Sequence, residues 1–201
     1  MKMLPCLVLI TTMVQSAEVP RTELLHQLSQ PVVLRGNFAQ QRQIVGFRRP
    51  VQSTGRFVVV RGTGLLWHTL RPFESMLTVN RQKLSMSSGP GLSNTTTLDA
   101  TKEPMLRTLN SLLQGMVVAD LPELQAQFDV EVRPSGVTDW VMTLQPKQAA
   151  LRSRFVSIEL AGGKYVQSVR LQEQTGDVTI VRFTDQMEDD HLTDVEVGQL
   201  R

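Results

Sequence analysis

Cysteine is all but absent from the chain: of 201 residues only Cys6 carries a thiol, and it lies inside an apolar N-terminal run. A disulfide framework, a thiolate metal site and a thiol nucleophile are thereby excluded from the body of the protein. Histidine is almost as scarce. His26, His68 and His191 stand far apart with no His-x-His or His-Glu-x-x-His spacing, so no metal ligand set is expected. An excess of one charge is lacking too, since 21 Lys and Arg oppose 19 Asp and Glu, leaving +2. The basic residues come singly or in pairs, which excludes a nucleic-acid groove or a polybasic anchor. No Gly-x-Ser-x-Gly elbow occurs, and Gly162-Gly163-Lys164 is followed by Tyr165 where a phosphate loop needs Ser or Thr, so this segment reads as a turn. The acidic run Asp185, Glu188, Asp189, Asp190 lacks the spacing and glycine of a calcium loop and reads as a solvated hairpin. No cofactor or metal is expected, and nothing in the residues argues for an enzyme.

Long apolar runs are also missing, with the exception of residues 4–14. Lys2 precedes this run and Gln15, Ser16 and Ala17 follow it, the arrangement of a secretory signal peptide. Eleven residues span only about 16 Å as a helix, roughly half a bilayer core, which is too short for an anchor. Cys6 sits near the start of the run rather than after it, so it is not placed to become an acylated first residue. The expectation is a signal peptide over residues 1–17 and one soluble domain over 18–201.

The remainder is punctuated as short strands. Residues 21–30 space Leu24, Leu25 and Leu28 on one helical face and stop at Pro31. Strands are predicted over 32–43, 55–61, 64–70, 74–80 and 83–87, then over 128–134, 139–146, 154–160, 164–173, 177–183 and 192–197. Turns fall at 49–55, 62–64, 71–73, 81–82, Gly162-Gly163 and Thr175-Gly176-Asp177. Residues 87–103 read as a loop. Pro104 then opens a helix with Met105, Leu106, Leu109, Leu112, Leu113 and Met116 on a single stripe. Asp120 and Glu123 form a capping box for a second short helix. About eleven strands with helices in two places predict an α+β fold: a curved sheet whose inner face is covered by the helices at 21–30 and 103–126.

The stretch Gly55 to Leu77, GRFVVVRGTGLLWHTLRPFESML, resembles the LolA family of periplasmic outer-membrane lipoprotein carriers. Arg61, Trp67, Pro72, Glu74, Ser75 and Leu77 keep that family's spacing. Phe38-x-Gln40, Leu144-x-Pro146-Lys147, the segment 155–183 and the Pro104-Met105-Leu106 helix start extend the similarity over residues 22–184. Gly62 stands where the family has proline, and the C-terminus, VEVGQLR, lacks an element that some members carry.

The resemblance implies an unclosed antiparallel β-barrel with a helical lid over its concave face. It implies a soluble, monomeric periplasmic carrier, one that accepts an acylated lipoprotein from a LolCDE-type inner-membrane transporter, shields its acyl chains, and passes it to a LolB-type outer-membrane receptor. Residue by residue, Leu65 and Trp67 match the bulky pair directed into the hollow, and Phe38, Phe57 and Leu77 join them on strand phase. Met105, Leu106, Leu109, Leu112, Leu113 and Met116 form the lid. Arg61 matches the arginine that latches the lid. Alternative readings are a carrier of another lipid or glycolipid, a lipid-sensing envelope regulator, or a half-barrel recruited for catalysis.

Overall fold

The structure is a computed structural model and describes residues 28–80, 82–99, 115, 117–136 and 138–200. Within them eleven strands form one antiparallel sheet: β1 (Val33–Gln43), β2 (Val51–Val60), β3 (Gly64–Arg71), β4 (Ser75–Asn80), β5 (Lys83–Ser88), β6 (Asn94–Asp99), β7 (Phe128–Ser135), β8 (Asp139–Pro146), β9 (Phe155–Gly162), β10 (Val166–Glu173) and β11 (Val178–Asp189). The spatial order is β6-β5-β4-β3-β2-β1-β11-β10-β9-β8-β7, two meanders joined where β1 pairs with β11. β6 and β7 remain as edges, so the barrel is not closed. Three helices are labelled here as α1 (Leu121–Gln127), α2 (Ala149–Arg152) and α3 (Asp194–Leu200). Gly115, Val117 and Val118 are also helical and lead into α1.

Strand alternation builds the core. Phe57 and Val59 on β2, Met142 and Leu144 on β8, and Ile158 and Leu160 on β9 all point inward, where Leu28, Val117, Val118 and Leu124 cover them. Two inward positions are glycine, and each faces an aromatic ring across the ladder: Gly36 pairs with Phe57 and Gly55 with Phe38. A Cβ built on Gly36 would lie 2.7 Å from the Phe57 ring, and one on Gly55 2.7 Å from the Phe38 ring. The rings thus lie over bare backbone, a use of strand glycine for close approach.

A second, smaller cluster lies on the other face of the sheet. Val33, Val60, Leu66 and Met76 are covered there by Leu200 of α3. A capping box starts that helix: the Glu196 amide donates to Thr193 Oγ1 at 3.3 Å, and the Thr193 amide donates to Glu196 Oε2 at 2.8 Å. Glu196 also accepts from Arg35 Nε at 2.7 Å and Nη2 at 2.6 Å, while Asn80 Nδ2 donates to the Leu200 carbonyl at 2.8 Å.

The forked bond from Arg35 holds the Glu196 carboxyl down at about 2, against an ordinary glutamate value of 4.5. A depressed folded-state value stabilises the fold above the unfolded value and is lost as pH falls through the folded one. Glu196→Gln is therefore expected to lower stability by about 1–2 kcal/mol at pH 6. The gap from the parent protein should narrow from about pH 4.5 downward and close near pH 2, as followed by thermal denaturation across that range. A gap independent of pH would contradict this role for the pair.

Two departures from the sequence expectations offset each other in the strand tally. Residues 94–99, expected as loop, form β6, and residues 192–197, expected as strand, contribute instead to α3. β6 is exposed along its whole length and is held to β5 by polar rungs, Ser85 to Thr97 at 3.0 Å and Ser87 to Thr95 at 2.9 Å. No apolar alternation was needed to pair it. The expected turn at 49–55 is shorter, since β2 begins at Val51, and Asp185, Glu188 and Asp189 belong to β11 rather than to a hairpin. Asp120 caps α1 as expected, its side chain accepting from the Glu123 amide. Leu28 to Gln30 are not helical, and the rest of the expected helix at 21–30 lies outside the described residues.

Candidate functional site

Two rows of inward side chains leave a hollow between the meanders and the helical residues above them. Leu65 and Trp67 from β3 and Leu77 from β4 form one wall, and Val169 and Leu171 from β10 with Val181 and Phe183 from β11 form the other. Val117 closes over them. The space amounts to about 180 Å³, and among the described residues only Gln40 and Thr179 bring polar side chains to it.

The base of the hollow is an aromatic cluster. Phe38 stacks on Trp67 with ring centroids 3.9 Å apart and planes 23° from parallel. Phe183 meets Phe57 and Trp67 edge-on, at 5.1 and 6.1 Å. Such offset and edge-to-face contacts fix ring positions beyond what area burial alone would do. Beyond Gln40, Arg42 ties β1 to its neighbours through Glu173 and Asp177, each at 3.1 Å.

Of the residues proposed from sequence to face the hollow, Leu65, Trp67 and Leu77 line it. Phe38 and Phe57 share their face of the sheet but lie underneath, almost fully buried against the two glycines. Met105, Leu106, Leu109, Leu112, Leu113 and Met116 lie outside the described residues. The opposite wall, from Val169 to Phe183, was not singled out from sequence. Its signal was present in the alternation of Val169 with Leu171 and of Thr179, Val181 and Phe183.

Arg61 sits in the turn between β2 and β3 and donates from Nη1 to the Gln30 carbonyl at 2.8 Å. Its own amide bonds the Val32 carbonyl. Gln30 in turn donates from Nε2 to the carbonyl of Val118, at the end of the helical residues, at 3.4 Å. Among the described residues, Arg61 therefore reaches the cover of the hollow through the 28–32 segment. Gly62 has φ +67, a conformation closed to proline, so this turn differs in kind from one with proline at that place.

Among the described residues, no titratable group lines the hollow. His68 and Glu74 pair at 2.9 Å on the opposite face of β3 and in the adjoining turn. Among the described residues no three His, Cys, Asp or Glu converge as a metal site, and no helix is long and apolar enough to cross a membrane.

Comparison with known proteins gives the same frame. The family described as "Outer membrane lipoprotein carrier protein LolA" matches residues 30–196. No individually curated protein matches significantly. Among solved structures, a DUF1329 family protein from Desulfovibrio piger is 10% identical, with 87% of this chain and 92% of that one covered at a TM-score of 0.50. A LolA superfamily protein from Nitrosomonas europaea is 9% identical, covering 88% and 96% at 0.47. The MucA/MucB complex of Pseudomonas aeruginosa gives 14% identity, 88% and 59% coverage, and 0.48. At 10% identity the first of these speaks for the fold alone.

Proposed function

The chain belongs to the LolA family of outer-membrane lipoprotein carriers, and on that premise we propose that it shields the acyl chains of lipoproteins in its hollow and moves them from the inner to the outer membrane. The observation that carries this reading is the lining by the described residues: apolar walls from both meanders, two neutral polar side chains, and no charged group among them. Such a site offers shelter and no general acid, base or nucleophile. Each methylene taken out of water is worth about 0.8 kcal/mol, so acyl chains with some forty methylenes represent roughly 30 kcal/mol.

Size adds a second element. A dry cavity of roughly 150 Å³ accommodates one benzene, and pockets for larger ligands run to about 300–1,000 Å³. The hollow of about 180 Å³ therefore holds acyl cargo only after its cover moves away. Closure over the empty hollow then competes with cargo and weakens the net hold, which release to a receptor requires. The link from Arg61 through Gln30 to Val118 would be the part of the described structure that lets go, with Arg61 acting as its latch. Residues 1–17 would direct export to the periplasm, with a LolCDE-type transporter as donor and a LolB-type protein as acceptor. The protein would act as a monomer without cofactor or catalysis.

Mass spectrometry of molecules co-purified from the periplasm tests the cargo. An acylated lipoprotein is the expected result. Another acylated lipid would keep the carrier and replace the cargo, and capture of a signalling protein without lipid would favour a regulator. For the hollow itself, Leu171→Glu places a carboxylate in a half-buried wall position. Desolvating that charge costs a few kcal/mol, so binding of a fluorescent sixteen-carbon fatty acid should weaken by at least tenfold with the fold intact. Unchanged binding would remove the hollow as the site.

A further inference from the structure

The strand directions bring two hairpin tips to the same end of the sheet. β1 and β3 run towards that end and β2 and β4 away from it, so the β1–β2 tip at 44–50 and the β3–β4 tip at 72–74 project side by side. Both tips carry apolar side chains that nothing covers: Val45 is 63% exposed, Phe47 62% and Phe73 82%. Buried aromatic rings are the rule in this protein, which makes the two exposed phenylalanines the exception that calls for a partner.

The charges around them are mainly basic. Residues 44–53 and 69–74 hold Arg48, Arg49 and Arg71 against one acid, Glu74, which pairs with His68. All three arginines are exposed, and among the described residues none has an ion-pair partner. Arg152 at the end of α2 and Arg154 just after it, both exposed, lie at this same end. The acids nearby are engaged: Glu74 with His68, Glu173 and Asp177 with Arg42, and Asp129 with Lys147. At the opposite end Glu188, Asp189, Asp190, Asp194 and Glu196 lie close together in sequence, offset by Arg35 and Lys164, and Arg61 and Lys83 sit in or beside turns of that end.

We propose that the β1–β2 and β3–β4 tips form a docking surface for an anionic lipid bilayer, with Phe47 and Phe73 entering the interface and Arg48, Arg49 and Arg71 meeting the headgroups. Exposed phenylalanine bound at a membrane surface buries its ring in the headgroup–acyl boundary, and each basic residue near an anionic surface adds about 1 kcal/mol, or roughly fivefold in affinity. The cavity lies towards this end: Gln40 is near the end of β1, Leu171 near the end of β10, and Thr179 near the start of β11. A bilayer seated on the tips would stand close to the site without any contact to α3. The surface does not depend on what the hollow binds, so either proposal can fail while the other stands.

The purified protein is floated with vesicles of phosphatidylglycerol and phosphatidylcholine in equal parts, and with vesicles of phosphatidylcholine alone. Binding to the anionic vesicles is expected to be at least tenfold stronger and to fall with added salt. The double variant Phe47→Ser with Phe73→Ser should lose at least tenfold of it, as should Arg48→Gln, Arg49→Gln and Arg71→Gln combined. Met187→Ser with Val195→Ser, which removes exposed apolar side chains at the other end, should change nothing. In Phe73→Trp the added indole should show blue-shifted emission on anionic vesicles and quenching by brominated acyl chains. Absence of binding to either vesicle, equal binding to both, or indifference to the tip variants would overturn the proposal, and the first outcome would leave the tips to a protein partner.

Discussion

Trp140→Ala is expected to destabilise the protein by about 3–5 kcal/mol, the range for removing a fully buried large side chain. Trp140 is 1% exposed in β8, where it lies opposite Gly162 on β9 and Pro134 on β7. Its indole Nε1 donates to the Gly163 carbonyl at 2.7 Å, across a buried contact. The alanine variant leaves both a cavity and an orphaned carbonyl beside the β9–β10 turn, and the second defect alone costs about 1–3 kcal/mol. At about 2–4 °C per kcal/mol for a domain of this size, the melting midpoint should fall by on the order of 10 °C or more. Trp140→Phe keeps most of the bulk and loses the donor, so it should fall between the two. A midpoint within about 2 °C of the parent for the alanine variant would show that the meander β7–β10 does not depend on this side chain. Because Trp140 is not part of the cavity wall, fatty-acid binding below the midpoint should persist.

Gly55→Ala is expected to cost about 3 kcal/mol or more, at the upper end of the range for overpacking. The added Cβ would sit 2.0 Å from the backbone carbonyl oxygen of His68 and 2.7 Å from the Phe38 ring. The carbonyl belongs to the neighbouring strand β3 and cannot turn aside without opening the β2–β3 ladder. The Phe38 ring can move, but it is stacked on Trp67, so the cavity base moves with it. The variant should thus show altered near-ultraviolet circular dichroism and Trp67 emission in addition to a lower urea midpoint, and fatty-acid binding should weaken. A destabilised variant with an unperturbed aromatic spectrum would mean that the strain is relieved within the ladder and that the stack is independent of Gly55.

The two meanders were legible because their strands alternate. Val33 to Leu84 and Phe128 to Phe183 place one face in the core, and apolar residues at every second position announce it. The offset errors at 94–99 and 192–197 have separate physical causes. Every residue of β6 is exposed, so neither of its faces calls for apolar alternation and its Asn-Thr-Thr-Thr run looks like a loop. Val195 and Val197 alternate like a strand, yet Val195 is exposed and Leu200 is the residue that buries. The overlooked signal was Thr193-x-x-Glu196, a capping box of the same kind that correctly announced α1. In the site, strand phase marks a face but not a depth. Phe38, Phe57 and Trp67 share that face, and only the three-dimensional stacking separates the ring that reaches the hollow from the two that lie beneath it. The closing wall on β10 and β11 comes from the far end of the sequence, and the β1–β11 pairing brings it within reach of β3, where Phe183 meets Trp67.

The helix α3 makes the two halves of the open barrel unequal as mechanical parts. Over β1 to β4 the sheet is covered on its concave side by the main core and on its outer side by Leu200 and Leu192. Over β8 to β10 the outer positions, among them Val156, Glu159 and Arg170, face solvent. A close-packed layer resists deformation, and a plate of three layers bends far less readily than one of two. Any widening of the hollow would therefore fall to the thinner wing and to the cover, with the thicker wing carrying Leu65, Trp67 and Leu77 as the fixed jaw.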